Sequence, residues 1–358
     1  MTLPRRPTLR EVSSAAKVSL YTASRALGSR PGVAEQTRVH VLKVAEDLGY
    51  VPNRNARNLK GDISRTLGVL TANNANQFYS TLVKALEKSV QPRGYHCYVV
   101  DAVEDGVYDV KREDMFVASL LEQRVAGIIL TYIPTPQNMM LLSNWRVPLL
   151  FVDCMPPDGF KHFPSIMTDS RLGSWQLGRH FAAHGYRSWA FVGHTPTWTS
   201  RRARELGFRE AATEFGASLD IIEGGNESRT AYEAVQRFLA ARARASWPRA
   251  IYASNEPLLN GALRALAERN IHIPEAIAVA GFDDFVWAEL LDPPMTVVDQ
   301  QIAGIGHIAG QRMLSALDGE AETGDLHLLT SPILRIRASC GGQVTTMQRP
   351  RTGDDDKA

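Results

Sequence analysis

Apolar residues recur at helical spacing near the start of the chain. Four of them share one face of a short helix: Leu9, Val12, Ala15 and Ala16. Thr8 with Glu11 three positions later forms a capping box, so this helix is predicted to begin at Leu9. After a tight break, Ser19 can cap a second helix that continues through Arg25. Two short helices joined by a tight turn predict a helix-turn-helix.

A third helix and a concentration of basic charge complete this N-terminal unit. The helix is predicted over residues 35–48, with Gly49 as its stop and Val39, Leu42 and Ala45 facing inward. Residues 1–60 contain eleven Lys and Arg against four Asp and Glu, whereas the remainder has 29 against 34. Basic charge gathered in this way supplies salt-dependent affinity for phosphates. The unit is therefore predicted to bind nucleic acid.

The second helix carries the candidate DNA-reading residues. In a helix-turn-helix, its N-terminal residues touch base edges in the major groove, and here they are Ser19, Leu20, Tyr21 and Thr22. Arg25, one turn further on, has the planar fork that pairs with guanine O6 and N7. Leu20 and Tyr21 can pack on thymine methyl groups or reach a phosphate. The alternative is that both are core residues of a small helical bundle.

From Arg65 onward, short aliphatic runs alternate with helical segments. Seven of these runs are predicted to be buried strands: residues 66–71, 95–101, 125–131, 147–153, 188–193, 250–254 and 277–282. Alternation of strand and helix predicts an α/β fold with parallel sheets, whose ligand sites lie at the carboxyl ends of the strands. With 358 residues, the chain has room for one small domain and one large domain of two lobes.

Several classes of protein are not indicated by the sequence. Residues 1–7 lack the apolar stretch of a signal peptide, and no run approaches the length of a membrane span. Cys97, Cys154 and Cys340 are too few and too widely separated for a disulfide framework or a metal site, which fits a reducing cytoplasm. No membrane partner is therefore expected.

Two motifs that suggest catalysis or metal binding are better explained otherwise. The glycines of residues 304–310 resemble a dinucleotide loop, but they lie in a helical pattern and do not follow a strand. His180 and His184 have the spacing of a zinc pair, yet no third ligand or adjacent Glu is evident, so surface histidines are expected. We expect no enzyme activity, no cofactor and no metal.

The residues of the N-terminal unit also carry a family resemblance. The matching pattern is Thr8-Leu9-x-Glu11-Val12-x-x-x-Ala16-x-Val18-Ser19-x-x-Thr22-x-Ser24-Arg25-x-Leu27, then Thr37-Arg38, then Gly49-Tyr50-x-Pro52-Asn53-x-x-Ala56-Arg57-x-Leu59. This pattern resembles the headpiece and hinge of the LacI/GalR family of bacterial transcriptional regulators. Lys17 and Ala34 depart from it, since the family usually has a turn glycine and a serine cap there.

The resemblance implies the domain organisation. Residues 1–52 would form a three-helix DNA-binding headpiece and residues 53–63 a hinge helix and linker. Residues 64–340 would form a two-lobed, periplasmic-binding-protein-like core with three crossovers between its lobes. Residues 341–358 are polar and lack apolar periodicity, so a disordered tail is predicted. This tail has no leucine heptads, and a homodimer is the simplest assembly.

The resemblance also implies DNA contacts in the hinge. Leu59 maps onto the apolar wedge that enters the minor groove, unstacks two base pairs and kinks the duplex, with Lys60 beside it. Asn53, Ala56 and Arg57 would line the same groove or the adjacent backbone. Packing within the helix is the alternative for Leu59. Thr8, at the start of the first helix, completes the predicted set of DNA contacts.

Effector-binding residues are carried over one at a time. Phe78 and Tyr79 fall where the family places two aromatics under the ligand, although core packing explains either one equally well. Arg204 and Asp283 match the family's cleft arginine and ligand-facing carboxylate, and Asn255 ends a predicted strand. The remaining candidates are the less secure matches and the nearby ring: Asp169, Gln300, Trp198 and Asn226. Asn226 stands where some members have a stacking aromatic.

The sequence thus predicts a cytoplasmic, nucleoid-associated repressor that is controlled by a small molecule. Its partners would be double-stranded operator DNA of near-palindromic sequence, a second copy of the chain, and an effector. A sugar or sugar acid is the first expectation for the effector, because Arg204 and Asp283 can together satisfy vicinal hydroxyls. A purine-like ring is the second. A solute-binding protein and a sugar-modifying enzyme on the same core are the rival interpretations.

Overall fold

The chain divides into two compact units, one ending at Ser64 and the other beginning at Arg65. The computed structural model describes residues 7–28, 31–50, 64–72, 76–104, 107–194, 199–320 and 324–342. The predicted hinge contacts from Asn53 to Lys60 and most of the predicted tail lie outside these residues. Each unit is built from different elements, and we describe them separately.

Three helices form the N-terminal unit: α1 (Leu9–Ala15), α2 (Leu20–Leu27) and α3 (Glu35–Asp47). The predicted capping box is present, since Thr8 and Glu11 each bond the other's backbone N–H with a side-chain oxygen. Ser19 caps α2 by accepting from the Thr22 N–H at 3.0 Å. Lys17 takes the positive φ of 53° that a glycine adopts more readily, and Ala34 provides no side-chain cap for α3.

The core of this unit differs in part from the sequence expectation. Its buried apolar residues are Val12, Ala16, Ala23, Ala26, Val41 and Ala45. Ala15 is exposed, and Ser13 is buried instead. The inward positions predicted for Val39 and Leu42 are wrong, because these side chains are 56% and 46% exposed. Val41 and Ala45, one helical turn apart, set the rotation of α3, and this turns the other two away from the core.

The second unit contains fourteen strands and eight α-helices among its described residues. The strands are β1 (Thr66–Thr71), β2 (His96–Asp101), β3 (Val103–Glu104), β4 (Val107–Tyr108), β5 (Gly127–Leu130), β6 (Leu149–Val152), β7 (Ser165–Thr168), β8 (Ser188–Gly193), β9 (Ser218–Glu223), β10 (Ala250–Ala253), β11 (Ala278–Phe282), β12 (Thr296–Asp299), β13 (His327–Thr330) and β14 (Ile333–Arg335). The helices are α4 (Gln77–Val90), α5 (Val110–Glu122), α6 (Pro136–Asn144), α7 (Ser170–Ala183), α8 (Thr199–Glu214), α9 (Ser228–Ala240), α10 (Glu256–Glu268) and α11 (Ile302–Leu317).

Two six-stranded sheets make two lobes. The N-terminal lobe has the order β13-β7-β6-β5-β1-β2, and the C-terminal lobe has β14-β12-β11-β10-β8-β9. All neighbours are parallel except β12 and β14. The chain passes between the lobes after β7, after β12 and between β13 and β14. The predicted α/β fold with two lobes and three crossovers is therefore confirmed.

The glycine-rich segment at residues 304–310 lies within α11 and mediates helix packing. A Cβ atom on Gly306 would lie 2.6 Å from the Leu82 carbonyl oxygen of α4, and one on Gly310 would lie 2.6 Å from the Ser89 Cβ. These glycines allow the two helix backbones to approach closely. Contrary to the sequence expectation, this segment follows a strand, β12. Because β12 and β13 belong to different sheets, the segment still does not open a βαβ unit.

One histidine of this unit departs from the sequence expectation. His180 was predicted at the surface, but it is only 9% exposed and lies 4.6 Å from the ring of His184. Burial, together with His184, lowers the pKa of His180 to about 4. The described residues contain no group of three or more His, Cys, Asp and Glu that could hold a metal. Within them, no helix is long and apolar enough to cross a membrane.

Candidate functional site

The N-terminal end of α2 presents an exposed face. Leu20 is 48% exposed and Tyr21 is 67% exposed, with Ser19 beside them at the helix cap and Thr22 half-buried. Large side chains this exposed do not stabilise the helical bundle, which argues against the core alternative for Leu20 and Tyr21. Backbone N–H groups at a helix N-terminus also favour phosphate. The face therefore has the shape and chemistry that major-groove reading requires.

Arg25 lies on the same face, one turn beyond Tyr21. Its Nη1 donates to the Tyr21 hydroxyl at 2.8 Å, and its Nε donates to the Pro31 carbonyl oxygen at 3.0 Å. Its guanidinium carbon lies 5.3 Å from the centroid of the Tyr21 ring. The two side chains thus form one unit, in which Arg25 orients Tyr21. Thr8 is exposed at the start of α1, where its side chain serves as the cap.

A cavity of about 610 Å³ lies between the two lobes of the second unit. Its lining includes six of the nine predicted effector residues: Phe78, Tyr79, Arg204, Asn226, Asn255 and Asp283. Several lining residues directly follow strands, namely Ala72, Thr131, Asp153, His194 and Asp283. The cavity therefore lies at the carboxyl ends of the strands, where parallel α/β sheets place their ligand sites.

Each lobe contributes one carboxylate from the same position of its sheet. Asp153 follows β6 and Asp283 follows β11, which are the third strands of the two sheet orders. Both residues have positive φ, 62° and 78°, which non-glycine residues adopt rarely. Backbone strain of this kind at a cleft is a feature of functional sites. The two lobes thus place equivalent carboxylates on the two sides of one cavity.

Arg204 on α8 supplies the positive charge of the cavity. It is 4% exposed, its Nη1 donates to the Ser254 carbonyl oxygen at 2.6 Å, and its guanidinium lies 3.8 Å from the Phe282 ring centroid. Stacking on one face and a bond at one end fix the direction of the fork. Gln300 is held in the same cluster, because its Nε2 donates to the Asp283 Oδ1.

Four buried polar atoms of this cluster have no hydrogen-bond partner among the described residues. They are Arg204 Nε, Ser254 Oγ, Asp283 Oδ2 and Gln300 Oε1. A buried polar atom without a partner costs about 1–3 kcal/mol. A ligand that offers several donors and acceptors would recover part of this cost on binding. The cluster is therefore suited to a polar molecule that carries several hydroxyl groups.

Burial makes the carboxylates difficult to ionise. It raises the pKa of Asp153 to about 6, an effect opposed by the Arg204 guanidinium and increased by the Asp283 carboxylate. Burial also raises the pKa of Asp283, against the attraction of Arg204 and the hydrogen bond from Gln300. The cavity lining thus holds the carboxyl groups of Asp153 and Asp283 and the guanidinium of Arg204.

The other predicted effector residues have additional structural contacts. Asn255 caps α10 by accepting from the Leu258 N–H at 3.1 Å, and its Nδ2 donates to the Asn226 Oδ1 at 3.0 Å. Phe78 and Tyr79 pack edge to face, 5.1 Å apart, and are buried in the core of the N-terminal lobe while also lining the cavity. The position of this aromatic pair is therefore compatible with both interpretations.

Three predicted effector residues are not among those that line the cavity. Asp169 lies at the first crossover, where it caps α7 by accepting from the Leu172 N–H at 2.9 Å. Gln300 lies at the second crossover and donates to Asp283, which lines the cavity. Trp198 lies outside the described residues. By capping α7, Asp169 stabilises the chain at the first crossover.

Sequence reasoning missed several cavity residues. Asp153 ends a predicted strand in the same way as Asp283, so the rule that found one carboxylate could have found both. Tyr108 and Tyr132 were also missed. Tyr108 belongs to the β3–β4 hairpin, which is too short to give a periodic signal. Tyr132 follows β5, and the strand-end rule would have found it.

Comparisons with known proteins agree with this geometry. A family model described as bacterial regulatory proteins of the lacI family matches residues 8–53, and a periplasmic binding protein-like domain matches residues 179–340. The HTH-type transcriptional repressor PurR of Pasteurella multocida is 25% identical over 320 residues, which are 88% of this chain and 93% of that protein. This chain belongs to the LacI family of bacterial regulatory proteins.

Other similarities of this LacI-family chain cover both units. The probable HTH-type transcriptional repressor ExuR of Bacillus subtilis is 25% identical over 93% of this chain and 98% of its own length. A structure of the Lac repressor dimer bound to operator and the anti-inducer ONPF is 26% identical, with a TM-score of 0.77 over 94% and 99% of the two chains. A CelR–cellobiose complex has a TM-score of 0.67 at 25% identity, over 93% and 100% of the chains. These proteins are regulators of transcription and not enzymes, as expected for this chain.

Proposed function

We propose that this LacI-family regulator is a transcriptional repressor that binds a near-palindromic operator as a homodimer and changes its DNA affinity when a small molecule enters the cleft. The exposed reading face at Ser19, Leu20 and Tyr21 supports the DNA-binding part. The cavity with one carboxylate from each lobe supports the ligand-binding part. A two-fold dimer presents two reading helices to two half-sites, which is the reason for a palindrome.

The observation that carries the effector assignment is the cluster of unpartnered polar atoms around Arg204 and Asp283. Vicinal hydroxyl groups of a sugar can donate to a carboxylate and accept from a guanidinium at the same time. A sugar acid would bring a further negative charge beside Asp153 and Asp283, so a neutral sugar fits this cavity better. A purine-like ring is the second candidate, since it could lie against the aromatic pair Phe78 and Tyr79.

Ligand binding would act by shifting the population of lobe arrangements. A ligand held between Asp153 of one lobe and Asp283 of the other favours the closed cleft. Closure would alter the spacing of the two hinges in a dimer and hence the fit to the operator. The size of the effect is set by the ligand's affinity difference between the two arrangements. Operator affinity measured with and without the ligand gives its sign.

The hinge completes the proposal through the family resemblance. Leu59 would insert into the minor groove at the operator centre, beside Lys60, with Asn53, Ala56 and Arg57 along the same groove. Deformation of the duplex then adds specificity at base pairs that no side chain reads. Replacing Leu59 with Ala is expected to weaken operator binding and reduce bending, as measured by mobility shift of circularly permuted duplexes. Unchanged affinity and bending would remove Leu59 from this role.

Removing residues 1–61 separates the two functions. The truncated protein is expected to lose binding to a fluorescein-labelled operator duplex, measured by anisotropy, and to keep its ligand-induced rise in melting temperature. Such a regulator acts where the chromosome is, so nucleoid association is part of the same proposal. A truncated protein that still bound the operator would contradict the headpiece assignment. Turnover of the ligand by the truncated protein would instead support the rival sugar-modifying enzyme.

A further inference from the structure

The two walls of the effector cavity differ in chemistry. The wall around Arg204 and Asp283 is polar and charged. We define the apolar wall of the N-terminal lobe by four of its lining residues: Tyr108, Tyr132, Ile133 and Pro134. Tyr108 is 36% exposed and Ile133 is 39% exposed, although both are large apolar side chains. Exposed apolar surface inside a cavity indicates a ligand part without charge.

A buried carboxylate holds the two tyrosines of the apolar wall. The Tyr108 hydroxyl donates to Glu113, whose side chain is fully buried on α5. Glu113 also accepts from the Thr135 N–H at 2.8 Å and from the Asn138 Nδ2 at 2.7 Å. Burial and the nearby Glu113 carboxylate raise the pKa of the Tyr132 hydroxyl. Because an isolated buried charge is costly, this many donors around Glu113 indicate a fixed local arrangement.

The arrangement sets the geometry of a flat surface. The Tyr108 and Tyr132 rings lie 6.0 Å apart at 72°, an edge-to-face contact. Tyr132 is 2% exposed, and its ring packs against the ring of Tyr108. The Tyr108 ring is therefore held by Tyr132 and Glu113 while it remains partly exposed in the lining of the cavity. An aromatic face of this kind packs against sugar C–H groups or against another ring.

The volume of the cavity exceeds the needs of one sugar ring. Pockets that take drug-sized ligands measure roughly 300–1,000 Å³. The cavity measures about 610 Å³. A hexose seated against Asp153, Arg204 and Asp283 would leave the apolar wall in contact with water. A ligand with a second ring would cover it.

We propose that the apolar wall is a second compartment that takes a ring attached to the glycosidic oxygen of the sugar, so that the effector is a neutral disaccharide or an aryl glycoside. This inference rests on the sugar assignment of the proposed function. Tyr108 contacts the second ring and sets the preference for two-ring ligands. Glu113 is a positioning residue that acts through Tyr108.

The test is a titration of the full-length protein with a defined ligand panel. Glucose, galactose and mannose are each offered as the free sugar, the methyl β-glycoside and the phenyl β-glycoside, together with cellobiose and lactose. Affinities come from calorimetry. For the matching sugar, a two-ring ligand is expected to bind roughly tenfold more tightly than the methyl glycoside, which is the size of one good aromatic contact. Comparing the phenyl glycosides with the disaccharides shows whether the second ring is an aryl group or a sugar.

Variants assign that preference to the apolar wall. Tyr108→Ala is expected to abolish the tenfold preference, whereas Tyr108→Phe, which retains the ring, keeps most of it. Glu113→Gln is expected to reduce the preference while the methyl glycoside binds as before. The matched control is Tyr98→Ala, since Tyr98 is a tyrosine of the same lobe with 37% exposure that does not line the cavity. It should keep the full preference.

The outcomes separate this inference from the proposed function. A methyl glycoside that binds as tightly as every two-ring ligand would overturn the second compartment and leave the sugar assignment standing. Retention of the preference in Tyr108→Ala would also overturn it. If no member of the panel binds, the sugar assignment fails and the second compartment fails with it. Loss of the preference in Tyr108→Ala alone, with Tyr98→Ala unaffected, supports the inference.

Discussion

Neutralising Asp153 is expected to make the ligand-free protein more stable at neutral pH. The pKa of this carboxyl rises from 3.8 to about 6 because the carboxylate is buried and faces Asp283. A rise of about two units corresponds to about 3 kcal/mol at 1.36 kcal/mol per unit. Relaxation of the cleft and the coupling to Asp283 reduce this, so Asp153→Asn should gain about 1–3 kcal/mol at pH 7.5. The same change should weaken effector binding.

The pH dependence has a definite sign. Since the folded pKa of Asp153 lies above the unfolded value, its proton stabilises the folded state. Below about pH 4 the carboxyl is protonated in both states, and the wild type loses nothing relative to Asp153→Asn. Between about pH 4 and 6 the unfolded chain releases the proton while the folded chain keeps it. The wild type therefore becomes less stable than Asp153→Asn as the pH rises. The stability difference between the two proteins reaches its full size above about pH 7.

Urea unfolding between pH 4.5 and 8, followed by intrinsic fluorescence, measures this difference. A thermal melt at pH 7.5 should also rise, by about 2–4 °C for each kcal/mol in a domain of this size. The control is Asp158→Asn, because the Asp158 side chain is 94% exposed and pairs only with Lys161 in solvent. Equal stability of Asp153→Asn and wild type at pH 7.5, or an advantage that grew toward acid pH, would refute the reasoning.

Three further predictions concern packing, capping and DNA reading. Gly306→Ala should destabilise the core by about 2 kcal/mol or more, because its Cβ would lie 2.6 Å from the Leu82 carbonyl oxygen. A Cβ atom on Gly304, in the same helix, would have no neighbouring atom within 4 Å. Gly304→Ala should therefore be neutral or stabilising by up to about 1 kcal/mol. Urea titration of the two variants measures the difference. Thr8→Ala should lower the stability of the headpiece by about 1 kcal/mol, because the capping box is lost. Thr8→Ser keeps the hydroxyl and should not lower it. Thermal circular dichroism of the headpiece measures both variants. Arg25→Ala should relax base preference at one operator position by about 1–3 kcal/mol, as anisotropy with single-base operator variants would show. Lys43→Ala removes an exposed positive charge from α3. It should weaken binding to all duplexes alike, because the basic charge of this unit contributes sequence-independent affinity.

Local rules predicted much of the fold from the sequence. The caps at Thr8 and Ser19 are contacts between residues three positions apart, and these can be read directly from the chain. The seven predicted strands were found because buried parallel strands are nearly continuous apolar runs. Seven further strands were not predicted: β3, β4, β7, β9, β12, β13 and β14. Of these, β9, β13 and β14 lie at sheet edges and mix polar with apolar residues. The strands β3 and β4 have two residues each, and the four-residue strands β7 and β12 have polar residues at both ends. β13 pairs with β7, 162 positions earlier, and β14 pairs with β12, 34–38 positions earlier. Neither pairing has a local signal in the sequence.

From the residues alone, the candidate site was predictable where its residues follow a strand, whereas Arg204 and Asn226 were predicted from the family resemblance. Asp283 and Asn255 were identified on that basis, and Asp153 could have been. Glu113 gives no such signal, because it lies in a charged helical segment that reads as solvated surface. It is buried by the hairpin that carries Tyr108, and only the folded structure brings them together. The exposure of Val39 and Leu42 depended in the same way on how α3 rotates against its neighbours.

The most direct measurement of the central claim is a selection of bound duplexes from a random-sequence DNA pool. The full-length protein would be used at moderate salt, with and without the sugar and glycoside panel. We expect enrichment of a near-palindrome with two half-sites, and a change in its recovery when the effector is present. Failure to enrich any sequence under both conditions, or enrichment of a single asymmetric half-site, would contradict a ligand-controlled dimeric repressor.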